Sequence, residues 1–220
     1  MNEQASASCG NCKNYQQGNR KPGSSPRKPQ RLPEVLTQEE QEALLGQPNA
    51  KNLMGLRNLC LLRLMLNTGL RAAEVLNIKT RDIDWSTGKL MVRQGKGKKD
   101  RSSWIGEEDL ALLQRWVIKK ARLPESAWLF TSRDGKLIDT RYLREMVKQL
   151  ATKAGIAKDV RPHTLRHTFA TDLYRQTKNL RLTQKALGHS QISSTMIYTH
   201  IVDDELEDAL KTFRDGAKNG

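Results

Sequence analysis

Apolar periodicity is missing from the first stretch of the chain. Residues 1–33, "MNEQASASCGNCKNYQQGNRKPGSSPRKPQRLP", hold almost no large apolar side chain and are crowded with Gly, Pro, Ser, Gln, Lys and Arg, so a flexible basic tail is expected there. Order is predicted to begin at "LTQEEQEALL", where Thr37 followed by Glu40 has the spacing of a capping box and Leu44 and Leu45 open an apolar face. From Leu53 to Leu66 the chain is strongly apolar, as a buried helix would be. That helix should stop at "NTGL", because Gly69 adopts positive φ without steric cost, and a short new helix should start at Arg71.

Two alternating runs, "KLMVRQ" (89–94) and "RSSWIG" (101–106), read as strands joined by "GKGKKD", a glycine-containing turn with three lysines. Helical patterns follow at 107–121, 139–154, 163–175, 180–187, about 193–198 and 203–213. In the helix beginning near His163, Leu165, Phe169 and Leu173 recur at four-residue steps and should face the core. The fold class expected is therefore mainly α with a small antiparallel β-sheet (α+β). No repeat and no long linker divides residues 34–220, which should form one domain.

Charge then narrows the function. Among 220 residues, 38 Lys and Arg against 24 Asp and Glu give +14, a balance suited to a polyanionic partner, with nucleic acid foremost. No run of about 18 apolar residues exists and no secretory signal is visible, so a cytoplasmic protein without a membrane partner is expected. The three cysteines cannot all pair, and Cys9 and Cys12 form a C-x-x-C without a second Cys or His pair nearby to complete a zinc site. Neither a disulfide framework nor a metal is expected.

The chemistry is concentrated in a few short segments. "RPHTLRHTFA" (161–170) carries His163 and Arg166 three residues apart on a shared face beside the core face, at the edge of a core-anchored helix. Alone, such a pair is more often a structural cap or ion pair than an active site. Downstream, "LGHSQISSTMIYTHI" places His189 after Gly188 at a helix end and Tyr198 on an amphipathic segment. Upstream, "NTGLRAAEV" puts Arg71 at a helix start, and Lys96 sits in the hairpin turn. A lone tyrosine at helical spacing is usually core and a lone turn lysine usually solvated, but the combination of all these placements in one chain is harder to explain that way.

Through "TGLRAAE", "GKGKKDR", "HTLRH" and "LGHS" followed by "YTH", the chain resembles the tyrosine recombinase (phage integrase) family over about residues 34–215. The resemblance implies the catalytic-core fold shared by tyrosine recombinases and type IB topoisomerases. It also implies an active site of Arg71, Lys96, His163, Arg166, His189 and Tyr198, needing no metal, ATP or other cofactor. In that scheme Tyr198 is the nucleophile that forms a 3′-phosphotyrosyl link, and His163 accepts its proton. Lys96 protonates the departing 5′ hydroxyl, His189 donates a hydrogen bond to the phosphate, and Arg71 and Arg166 clamp the non-bridging oxygens. Which histidine faces the phenol is not given by spacing.

Glu74 matches an acidic position of the family and would orient an arginine or a neighbouring helix, although a plain surface i, i+3 pair is the simpler alternative. His167, His200 and Tyr174 receive no chemical role. The resemblance further implies double-stranded DNA as substrate, four protomers on two duplexes, an accessory protein in some systems, and a location on the nucleoid when DNA is bound. The acidic helix in "DDELEDALKTF" would dock on a neighbouring protomer or on its own core. The helical core-binding domain of most relatives is expected to be absent, only the tail preceding the domain, so binding by this chain alone should be weaker and less sequence-specific. Two other functions remain open: a catalytically weak or partner-dependent DNA-binding accessory protein, and a monomeric type IB topoisomerase.

Overall fold

The structure is a computed structural model, and it describes residues 34–93 and 100–188. In chain order the elements are α1 (Gln38–Leu45), α2 (Leu53–Thr68), α3 (Ala72–Leu76), a 3-10 turn (Thr80–Asp82), β1 (Lys89–Val92), β2 (Arg101–Trp104), α4 (Glu107–Lys120), α5 (Thr140–Lys153), α6 (Pro162–Thr177) and α7 (Leu180–Leu187). The expected tail at 1–33, the hairpin turn and the helices expected at 193–198 and 203–213 lie outside the described residues.

The mainly helical plan with one small sheet is as the sequence predicts. β1 and β2 pair antiparallel, Lys89 opposite Trp104 and Val92 opposite Arg101. β1 ends at Val92, before Arg93, and β2 is two residues shorter than expected because Gly106 already serves as the N-cap of α4. Thr37 closes the anticipated capping box: its hydroxyl accepts from the Glu40 N–H, and the Glu40 carboxylate accepts from the Thr37 N–H.

α2 is the platform of the domain. Leu56, Cys60, Leu61, Leu62, Leu64, Met65 and Leu66 are all buried, covering nearly the whole circumference of the helix, as its strongly apolar sequence requires. It packs chiefly against α4 on one side and α6 on the other. Burial pushes the Cys60 thiol up to about 12, with Asp109 adding to the shift, so this cysteine is an inert core residue.

The buried face of α6 differs from the expected Leu165, Phe169, Leu173 stripe. Leu165 is fully buried, but the rest of the deep face is Thr168, Ala170, Thr171 and Tyr174, while Phe169 and Leu173 are only half-buried. Thr168 is tolerated there because its hydroxyl finds partners. Thr168 donates to the Thr164 carbonyl at 2.9 Å and accepts from the Leu36 N–H at 3.0 Å, which removes the cost of burying an unpaired hydroxyl.

Gly69 decides how α2, α6 and α7 meet. It ends α2 at φ +60, its N–H donating to the Met65 carbonyl at 3.1 Å. A Cβ there would stand 2.2 Å from Phe169 Cδ1 and 3.1 Å from Leu187 Cδ2. Gly69→Ala is expected to lower unfolding free energy by about 2–4 kcal/mol, the sum of a positive-φ cost and overpacking. Urea unfolding checks this, with a lower midpoint at unchanged slope. In a Phe169→Ala background the same substitution should cost less, and an equal cost in both backgrounds would contradict the close approach.

Candidate active site

Three of the six expected site residues are described. Arg71 is the N-cap of α3, immediately after the turn at Gly69, so the stop of α2 delivers it. His163 is the second residue of α6, which begins with Pro162 at a position where a missing N–H costs nothing. Arg166 lies one turn further along α6. Lys96, His189 and Tyr198 lie outside the described residues.

Glu74 brings the cations together. It sits in the first turn of α3 and its side chain is 9% exposed. One oxygen, Oε2, accepts the Arg71 backbone N–H at 2.9 Å, and Oε1 accepts from Arg71 Nη1 at 3.0 Å. Arg101, the first residue of β2, adds a two-pronged contact, Nη1 to Oε1 at 2.8 Å and Nη2 to Oε2 at 2.9 Å. Arg166 Nη1 stands 4.0 Å from Oε2. Glu74 is thus more than the surface i, i+3 partner of Arg71: it also binds a residue of the hairpin and approaches one of α6.

Arg166 is deeper than its expected position at a helix edge. Its side chain is 7% exposed, because α6 is enclosed between the end of α2 and α7. Its Nη1 donates to the Gly69 carbonyl, and Nη2 donates to the Leu187 carbonyl at 2.8 Å. One guanidinium therefore links the turn before Arg71 to the end of α7, two residues before His189. Gly188 closes α7 at φ +63, and a Cβ on it would meet the Arg101 side chain, 2.8 Å from Cδ.

His163 is exposed and lines an open cleft of about 510 Å³ with Ala72, Arg144, Lys148 and Arg161, and with the carboxylates Glu145 and Asp159. Arg161 and Asp159 form an ion pair at 2.6 Å, while Arg144 and Lys148 stand on the solvent face of α5. His167, one turn beyond His163, has its pKa lowered by burial and by the neighbouring His163 and Arg166 charges, which favours neutral imidazole. Among the described residues, no group of three or more His, Cys, Asp or Glu is placed to hold a metal ion, and no helix is long and apolar enough to cross a membrane.

Sequence reasoning missed Arg101. It ends the quoted "GKGKKDR" motif, but its partner Glu74 is 27 residues away, a separation at which no helical or strand period operates. The arrangement presents guanidiniums around a single buried carboxylate, with Arg71 40% exposed and next in sequence to Ala72 of the cleft lining. Such a site suits an anionic group that gains charge during reaction.

Burial opposes ionisation of Glu74. The hydrogen bond from Arg101, the Arg71 N–H and the charges of both guanidiniums outweigh it and hold the carboxyl at about 2, below its ordinary 4.5. With the folded pKa depressed, the unfolded chain takes up the proton first as pH falls. The stability contributed by Glu74 is complete above about 4.5 and is lost progressively as pH falls towards about 2. Melting temperatures of wild type and Glu74→Gln, measured from neutral pH downward, should therefore be furthest apart above that window and converge through it. A gap independent of pH would contradict an ionised Glu74 as the anchor.

A model of the Phage integrase family matches residues 34–205. The chain is 38% identical over 177 residues to tyrosine recombinase XerC of Xanthomonas axonopodis pv. citri (strain 306), which covers 80% of this chain and 57% of that protein. It is similar to the crystal structure of XerA recombinase, with TM-score 0.74 and 32% identity, covering 87% of this chain and 67% of that one. It is also similar to the crystal structure of XerH site-specific recombinase bound to palindromic difH substrate in a post-cleavage complex, with TM-score 0.72 and 31% identity over 84% of this chain and 54% of that one. The chain thus spans little more than half the length of this XerC and of this XerH.

Proposed function

The chain belongs to the phage integrase family and has the catalytic-core fold of the tyrosine recombinases, and from that premise we propose that it is a site-specific DNA strand transferase. It cuts and rejoins double-stranded DNA through a 3′-phosphotyrosyl intermediate, without metal or ATP. The observation that carries this reading is the convergence of Arg71 and Arg166 on Glu74, next to a cleft lined by His163 and basic residues of α5. The DNA-bound state of the similar XerH supports the choice of substrate, as does the +14 charge of the chain.

The mechanism follows from what a phosphodiester needs. Attack at phosphorus makes it five-coordinate and adds negative charge to the non-bridging oxygens. Two guanidinium groups meet that charge with planar forks that stay protonated at any working pH. Tyr198 Oη forms the new bond to phosphorus while His163 accepts the phenolic proton. The bond to the 5′ oxygen breaks, Lys96 protonates that oxygen so that it leaves as the 5′ hydroxyl, and His189 donates a hydrogen bond to a non-bridging oxygen. The product is itself a phosphodiester, so the bond energy is stored and the step runs backwards when a 5′ hydroxyl attacks the link.

Arg144, Lys148 and Arg161 around the cleft would neutralise flanking phosphates and make binding salt-sensitive. Residues 34–220 form the catalytic domain in this reading, working in the compartment that holds the DNA, with four copies acting on two duplexes and an accessory protein in some reactions.

Incubated in EDTA with nicked suicide duplexes from its genomic flanks, the protein should form a DNA adduct that survives SDS and is lost in Tyr198→Phe. DNA binding without an adduct would overturn strand transfer in favour of an accessory DNA-binding role. Arg166→Lys should form adduct at least about 100-fold more slowly, as a point charge cannot span the Gly69 and Leu187 carbonyls and still present a fork. Near-normal cleavage by that variant would remove Arg166 from the clamp.

A further inference from the structure

Arg101 stands outside the six residues of the proposed mechanism, yet among the described residues of the hairpin it has the most contact with the centre of the site. Its fork occupies both oxygens of Glu74, at 2.8 and 2.9 Å, and its side chain is 11% exposed. The same carboxylate holds Arg71 at two points, the backbone N–H and Nη1. Arg101 therefore fixes the orientation of the carboxylate plane, and the plane fixes where Arg71 emerges from α3. The stem of Arg101 supports a second part of the site. It lies directly under Gly188, where a Cβ would be 2.8 Å from Cδ, 3.0 Å from Nε and 3.3 Å from Cζ.

Charge points the same way. A lone buried carboxylate among the cations would draw Arg71 and Arg166 towards itself and oppose an incoming phosphate. Arg101 supplies the compensating charge from the side of the hairpin. The position is also imperfect as a stability device, since Arg101 Nε is buried without a hydrogen-bond partner among the described residues, an arrangement that costs stability. Resting on the strand-transfer reading above, we propose that Arg101 is a positioning residue for phosphoryl transfer. It acts through Glu74 to hold Arg71 in its phosphate-binding pose and through its stem to seat the end of α7.

The test compares wild type, Arg101→Lys, Arg101→Met, Glu74→Gln and the Arg101→Met/Glu74→Gln double variant. Each is measured for single-turnover adduct formation on nicked suicide duplexes, for DNA affinity by anisotropy and for thermal melting. Arg101→Met is expected to slow adduct formation about 10–100-fold with DNA affinity changed less than about threefold, as for a residue acting after binding. Arg101→Lys, which keeps the charge and loses the fork, should fall between, and it carries the test if the Met variant does not fold. The double variant should react no more slowly than Glu74→Gln alone, since the two residues act as one unit.

An unchanged rate in Arg101→Met, a defect confined to DNA affinity, or losses that multiply in the double variant would each overturn the proposal while wild type still forms adduct. Absence of adduct in wild type would overturn the strand-transfer reading, and the role of Arg101 with it.

Discussion

The burial of a single ionised carboxylate constrains the rest of this domain. Glu74 is held far from water, and a charge so placed is tolerable only with close partners of opposite sign. Those partners come from segments remote in sequence: Arg71 from the start of α3, Arg101 from the start of β2, and, at longer range, Arg166 from α6. The demand to compensate one charge thus draws the hairpin, a helix start and a core helix to a common point. The basic residues gather there because the carboxylate is there.

A second set of contacts turns that point into a rigid frame. Arg166 donates to the carbonyls of Gly69 and Leu187, both at helix ends where backbone oxygens lack an intrahelical partner. Helix C-termini attract cations, so the charge that would receive a phosphate also caps two helices. The glycines beside those carbonyls make the approach feasible. Gly69 lets the turn lie against Phe169 and Leu187, and Gly188 lets the end of α7 lie on Arg101. Behind them α2, apolar on almost every face, anchors α4 and α6. Residues that would act on a phosphodiester thus project from elements with little freedom to shift, which is what orientation-dependent chemistry requires.

Where a signal was local, the sequence could be read closely. The capping box at Thr37 and the glycine stop at Gly69 each depend on a few consecutive residues. What lay beyond reach depended on partners distant in the chain. The face of α6 was misjudged because Thr168 is buried, and a threonine counts as polar until its hydroxyl is seen bonded to Thr164 and Leu36. The three-residue spacing from His163, beside the core face, puts Arg166 at an edge of α6, and only the carbonyls of Gly69 and Leu187 make its burial tolerable. Glu74 could be paired with Arg71 by helical spacing, but nothing local connects it to Arg101. Of the six site residues, Lys96, His189 and Tyr198 lie outside the described residues, so what was legible of them is the motif spacing alone.

A carboxylate at the centre of a phosphate site looks counterproductive, and the geometry explains how the two are reconciled. Glu74 is deeper than Arg71, whose side chain is 40% exposed against 9%. Its oxygens are occupied by the Arg101 fork and the Arg71 N–H. An anion arriving from solvent therefore reaches the exposed Arg71 guanidinium more readily than the buried carboxylate. Guanidiniums without an anchor would repel one another and turn towards water, losing the fixed orientation that makes them useful against a developing charge. The anchored cluster keeps an excess of positive charge while each partner is held by bonds it would lose on moving. That combination of net charge and immobility also explains why arginine rather than lysine occupies these positions, since one ammonium cannot serve a backbone carbonyl, a carboxylate and a phosphate with the same planar set of donors.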